Sequence, residues 1–135
     1  MYALDTNTVI YFFKNSGHVA EHLFSLPPHE IALPAVVLYE LEVGIAKSTA
    51  PEKRRAQLNE LLTVVRVLPF TENEAAISAK VRATLEQAGT PIGPLDMMIA
   101  GTALASQATL VTHNTKEFAR IDGLRLEDWF DLKQA

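Results

Sequence analysis

Cysteine is absent from the chain. That excludes disulfides, thiolate metal sites and cysteine nucleophiles, and it fits a reducing compartment. The opening residues carry no basic leader followed by an apolar run, so no signal peptide is expected. Long hydrophobic runs are missing too. The longest, Ile31 to Tyr39, is interrupted by Pro34 and is too short to span a bilayer. A soluble, cytoplasmic protein is therefore expected. Repeats, low-complexity segments and linkers do not occur. With a length of 135 residues, 48% of them hydrophobic and 21% charged, one domain over 1–135 with a real core is expected. Positive charge is in short supply, and the net charge is −4. This argues against broad nucleic-acid binding through overall charge. It leaves room for a local basic rim from Lys53-Arg54-Arg55, Lys80 with Arg82, or Lys116 with Arg120.

Charge is also scarce in one particular place. Between Glu86 and Lys116 the only formal charge is Asp96, inside Ile92-Gly93-Pro94-Leu95-Asp96-Met97-Met98-Ile99-Ala100-Gly101. Such a carboxylate needs a partner, because an unpaired buried charge costs several kcal/mol or is driven neutral. No Lys or Arg lies nearby in sequence. A second carboxylate has similar surroundings: Asp5 ends the apolar opening Met1-Tyr2-Ala3-Leu4 and precedes Thr6-Asn7. Two such acids brought together repel unless a cation or a proton joins them. Each also has an ordinary structural role. Asp5 suits a helix N-cap, and Asp96 suits the first turn of a helix dipole.

The chain reads as alternating strands and helices. Strands are expected at 2–4, 30–33, 66–69 and 109–112, with a last one at Leu124-Arg125-Leu126. Helices are expected at 6–13, 17–25, from Pro34 to about Lys47, from Pro51, from a Thr71-x-x-Glu74 capping box to near Gly89, at 95–106 and at 115–119. Alternation of this kind indicates an α/β domain with a mostly parallel sheet of about five short strands. Ligands gather outside the carboxyl ends of such strands. Asp5 follows the first strand and Asn114 the fourth, so both belong to one edge. Asp96 opens a helix able to point there.

A third acid lies in Val36-Val37-Leu38-Tyr39-Glu40-Leu41-Glu42-Val43-Gly44. At about 100° per residue, Glu40 and Glu42 both flank the apolar stripe. Gly44, one turn after Glu40, leaves room for close approach and favours Glu40 weakly. A fourth is Glu117, which with Asn114 also has capping-box spacing. Three or four carboxylates without a His or Cys cluster make an oxygen-rich site suited to Mg2+ or Mn2+, and to activating water against phosphorus.

The landmarks Leu4-Asp5-Thr6-Asn7, Tyr39-Glu40-Leu41 with Gly44, Gly93-Pro94-Leu95-Asp96 through Ile99-Ala100, and Leu110-Val111-Thr112-x-Asn114 with Phe118 resemble those of PIN-domain ribonucleases. Their order and spacing over the whole chain are similar to VapC-type toxins of bacterial toxin–antitoxin pairs. The ending Asp122-Gly123-Leu124-Arg125-Leu126-Glu127-Asp128-Trp129 resembles the subgroup that cleaves initiator tRNA.

The resemblance implies a three-layer α/β/α fold and a catalytic set of Asp5, Glu40, Asp96 and Glu117. Within that set Asp5 and Asp96 ligate metal, and Glu40 acts through water. Many relatives have an acid where Asn114 stands, and Glu117 is the implied substitute. Thr6, Asn7, Thr112 and Asn114 are implied supports. The implied activity is Mg2+-dependent hydrolysis of RNA, tRNA being the expected class, to a 5′-phosphate and a 3′-hydroxyl. A homodimer is implied, as is a VapB-type antitoxin over the helices around 34–66, where Leu38, Tyr39 and Leu58 are candidate contacts.

Competing patterns point elsewhere. His18-Val19-Ala20-Glu21-His22 matches a zinc-protease motif but lacks a third ligand. A phosphorelay receiver also has an acidic Mg2+ pocket, but it needs its phosphoacceptor Asp at a strand end, whereas Asp96 is expected on a helix. Asn114 in place of an acid leaves a catalytically weak binding module as a third alternative.

Overall fold

The computed structural model describes residues 1–131. Five strands form one sheet: β1 (Tyr2–Leu4), β2 (Ile31–Pro34), β3 (Arg66–Leu68), β4 (Thr109–Val111) and β5 (Leu126–Glu127). Their order is β3-β2-β1-β4-β5, and every pair is parallel. Seven helices connect them: α1 (Thr6–Phe13), α2 (Val19–Phe24), α3 (Ala35–Lys47), α4 (Pro51–Val64), α5 (Glu72–Gln87), α6 (Pro94–Ala105) and α7 (Thr115–Phe118). All of β2 is buried, as are the last two residues of β1 and of β4. Consecutive strand residues point to opposite faces, so burial of both means that both faces are covered. This is the three-layer arrangement that the family resemblance implies, built on the parallel sheet expected from the alternating pattern.

Local chemistry explains most element ends. Asp5 caps α1, its Oδ1 accepting the Thr6 N–H at 2.8 Å. Pro51 and Pro94 stand at the first positions of α4 and α6, where a missing N–H costs nothing. At α5 the Glu74 carboxylate accepts the Thr71 N–H at 2.7 Å and the Thr71 hydroxyl at 2.5 Å. The Thr71 oxygen in turn accepts the Glu74 backbone N–H, so the expected capping box is complete. Gly17, at φ +61°, keeps α2 from starting before Val19, and a Cβ there would meet Phe130 at 2.7 Å. Pro34 ends β2, and α3 begins one residue later than expected. Asn114 makes no side-chain cap at α7, so the capping reading of Asn114 and Glu117 does not hold.

Close packing holds α6 against α5. Gly101 packs so closely on α5 that a Cβ there would lie 1.9 Å from Ser78 Oγ and 2.9 Å from Ser78 Cα. Leu4, Leu33, Val37, Leu58, Ile99, Leu110 and Phe118 are fully buried around the sheet. Leu58 is thus core and offers nothing to a partner.

Candidate functional site

In the order β3-β2-β1-β4-β5, the chain runs outward from β1 on one side and returns to β4 on the other. Between β1 and β4 the connections diverge, and a crevice opens at the carboxyl ends. Asp5 is the residue after β1, and Thr112 is the residue after β4. The Asp5 N–H donates to the Val111 carbonyl at 2.9 Å and the Thr8 hydroxyl donates to the same oxygen at 2.9 Å, which locks the start of α1 to the end of β4. Thr112 is fully buried. Its hydroxyl donates to Asp5 Oδ2 at 2.8 Å and accepts the Asn114 N–H at 3.0 Å. Both Asp5 oxygens are therefore oriented, one by a backbone amide and one by a threonine.

Glu40 reaches the same place from α3. Its Oε1 accepts the Thr6 hydroxyl at 2.9 Å. Glu42 turns away and forms a two-pronged pair with Arg55. Asp96, in the first turn of α6, completes the group. Gly93 gives it room, because a Cβ at Gly93 would stand 3.1 Å from Asp96 Oδ2. That restriction on residue 93 is visible only in three dimensions.

Electrostatics confirm the convergence. Burial first, and then the negative charges of Asp5, Glu40 and Glu117, together lift the Asp96 carboxyl to about 6. Asp5 is also raised, chiefly by burial. The Thr112 and Thr6 hydrogen bonds oppose that rise, and Glu40 adds to it. Asp5, Glu40, Asp96 and Glu117 come from four separate helix starts and faces, and they share one field. No ion pair with Lys, Arg or His engages any of them among the described residues. Concentrated negative charge with oxygen donors and no counter-cation suits a bound divalent metal. Asn7 is exposed and takes no part in this network. Asn114 contributes its backbone N–H.

A second acidic group went unseen in the sequence pattern. His113, Asp128 and Asp131 bring ligand atoms within 4.8 Å of one another and form a possible metal-binding set. His113 Nδ1 lies 2.9 Å from Asp128 Oδ2, and its ring packs on Phe130 at 4.5 Å. Asp128 and Asp131 are close in sequence, but His113 comes from a different segment, so no local spacing could reveal the set. The four acids at the strand ends are more loosely spaced than this set, as mutual repulsion requires.

The histidines of the zinc-protease pattern part company. His18 pairs with Glu21 at 3.2 Å, while His22 stacks on Trp129 at 5.8 Å. Asp96 belongs to the first turn of a helix and does not directly follow a strand, which removes the receiver geometry.

Comparison with known proteins agrees with this geometry. A family model described as PIN domain matches residues 2–124. The tRNA(fMet)-specific endonuclease VapC of Salmonella typhimurium is 38% identical over 128 residues, covering 95% of this chain and 97% of that protein. Ribonuclease VapC2 of Rickettsia felis is 37% identical over 131 residues, covering 96% and 98%. The crystal structure of VapBC2 from Rickettsia felis bound to a promoter DNA fragment matches with a TM-score of 0.88 at 37% identity, covering 95% of this chain and 98% of that one. DNA-bound VapBC from Salmonella typhimurium matches with a TM-score of 0.88 at 38% identity, covering 95% and 97%. With its acidic crevice at the β1/β4 switch point, the chain belongs to the PIN-domain family and, within it, to the VapC group.

Proposed function

We propose that this protein is the toxin of a type II toxin–antitoxin pair, a metal-dependent endoribonuclease working in the cytoplasm as a single domain over 1–135. Mg2+ is the natural ion, with Mn2+ as a substitute. The substrate is RNA, with tRNA as the class, by likeness to the Salmonella tRNA(fMet)-specific enzyme. The observation that carries this reading is the group of four carboxylates without a counter-cation around Asp96.

Asp5 and Asp96 would hold the ion, and Thr112 and the Thr6 N–H orient the two Asp5 oxygens for that role. When bound, the ion polarises water and neutralises charge on the scissile phosphate. Glu40, oriented by the Thr6 hydroxyl, takes the proton of the attacking water at its carboxylate. Glu117 supplies the fourth negative charge in place of an acid at Asn114. The bond from phosphorus to the 3′ oxygen breaks, leaving a 3′-hydroxyl and a 5′-phosphate.

The partner is a VapB-type antitoxin, as in the VapBC complexes with the same fold. Tyr39 is 58% exposed on α3, and Leu38 is half-buried. An apolar groove of about 300 Å³ under the exposed Phe24 adds Phe12, Phe13, Leu61 and Val64 to the available surface. The toxin acts as a homodimer.

Cleavage mapping on total cellular RNA with Mg2+ tests the reading. The wild type is expected to cut at defined positions. Asp5→Asn and Asp96→Asn should each lose about 100-fold or more in rate while keeping their circular dichroism. Cutting at the wild-type rate by either variant removes the assigned mechanism.

A further inference from the structure

Beside the acidic crevice runs a groove of about 230 Å³ between α1 and α3. Ile10, Phe13, Leu41 and Ile45 give it an apolar floor. Glu40 lines it too, so the groove opens onto the acidic site. Two cations stand on its walls: Lys14 at the end of α1, and Arg54 from α4. Neither is ion-paired among the described residues. Arg54 is nevertheless held in place. Its Nη1 donates to Gln57 Oε1 at 2.6 Å, its guanidinium lies 5.9 Å from the centre of the Phe13 ring, and Gln57 is itself anchored to the Phe13 carbonyl at 3.0 Å. Its neighbour Arg55 satisfies itself on Glu42. An arginine positioned by neutral groups keeps its charge available for an anion.

The proposed reaction needs such an anion site. A polyanionic strand approaching four carboxylates meets repulsion that local cations must offset, because the protein's net charge of −4 gives no help. Gly44 also lines the groove, and a Cβ there would find nothing within 4 Å, so the passage is open at that point.

Resting on the ribonuclease reading, we propose that the groove between α1 and α3 carries the RNA backbone where it leaves the acidic site, with Lys14 and Arg54 as phosphate-positioning residues and Gly44 keeping the passage clear. The backbone is favoured over an acidic protein segment because the groove is continuous with Glu40, where the scissile phosphate must lie.

The test uses the whole protein and bulk tRNA. Initial rates of cleavage are measured with Mg2+ across a KCl series, and binding is measured by anisotropy of a labelled single-stranded RNA oligonucleotide in EDTA. Lys14→Ala and Arg54→Ala should each raise KM about 5–20-fold with a smaller change in kcat, and each should flatten the salt dependence of binding by about one unit of slope. Gly44→Leu should raise KM similarly without lowering the melting temperature, since its side chain meets only the groove. Arg125→Ala, an exposed cation before β5 and outside the groove, serves as the control and should leave both readouts unchanged.

Wild-type KM and salt slope in both cation variants would overturn the proposal. So would cleavage that is unchanged while inhibition by the antitoxin weakens, which would give the groove to the protein partner. A wild type that binds RNA with the expected loss of slope in the variants, yet never cuts it, would sink the hydrolysis reading and leave the groove assignment standing.

Discussion

At the scale of single residues, Asp96 is where structure and chemistry conflict most. Its carboxyl titrates at about 6 in the folded protein, against an ordinary value of 3.8. The folded state thus holds the proton more tightly than the unfolded state does. Stability is favoured while both forms are protonated, below about pH 4. It declines as pH rises toward 6 and levels off above that. Asp96→Asn should therefore stabilise the metal-free protein at pH 7 by about 1 kcal/mol. The gain stays well short of the full shift because the half-exposed carboxyl is screened by water. Urea unfolding at pH 4 and pH 7 checks it: the gain should vanish at pH 4. Equal gains at both pH values would mean that the cost of ionising Asp96, through burial and the neighbouring acids, is not the cause. The same substitution is expected to lower the cleavage rate about 100-fold or more, a trade of function against stability common at charged sites.

At the scale of elements, the packing of α5 on α6 decides where Asp96 stands. Gly101 permits that packing, and an added methyl would strike both the Ser78 hydroxyl and its backbone. Gly101→Ala should destabilise by about 1–3 kcal/mol and also slow cleavage, because α6 must shift and take Asp96 with it. The Ser78 hydroxyl itself is buried and has no hydrogen-bond partner among the described residues. Ser78→Ala removes an unsatisfied group without opening a large cavity, so it should be neutral or slightly stabilising in thermal melts. A loss above about 1 kcal/mol in Ser78→Ala would show that the hydroxyl has a partner. Element positions were largely legible in the sequence, since caps, prolines and hydrophobic periodicity are local signals. Pro51 and Thr71 mark helix starts where expected, and Pro94 opens α6 one residue before the expected 95. Asn114 misled because capping-box spacing carries no information about where the side chain turns.

At the scale of the molecule, the C-terminal segment closes the fold onto its beginning. Trp129 is 2% exposed, lies 5.6 Å from the Tyr2 ring and stacks on His22. Its indole N–H donates to Glu127 at 3.0 Å, and the His18 N–H donates to the Phe130 carbonyl at 3.0 Å. Trp129→Ala should cost about 3–5 kcal/mol in denaturant unfolding. It should also weaken catalysis indirectly, because β5 and β4 support Thr112 and hence Asp5. A loss under 1 kcal/mol would mean that the tail packs without bearing on stability. The sheet order adds what no single element holds: the reversal between β1 and β4 creates the crevice that gathers the acids.

From the sequence alone came the α/β alternation, the isolated carboxylates at Asp5 and Asp96, and the choice of hard-cation chemistry. All three rest on local pattern and on the cost of burying unpaired charge. Tertiary structure alone decided that Glu42 belongs to Arg55, that Thr6 holds Glu40, that Gly93 clears space for Asp96, and that His113 meets Asp128 and Asp131. Those outcomes depend on directions and distances between segments far apart in the chain. Spacing along a sequence does not encode such separations until the sheet and its helices have packed.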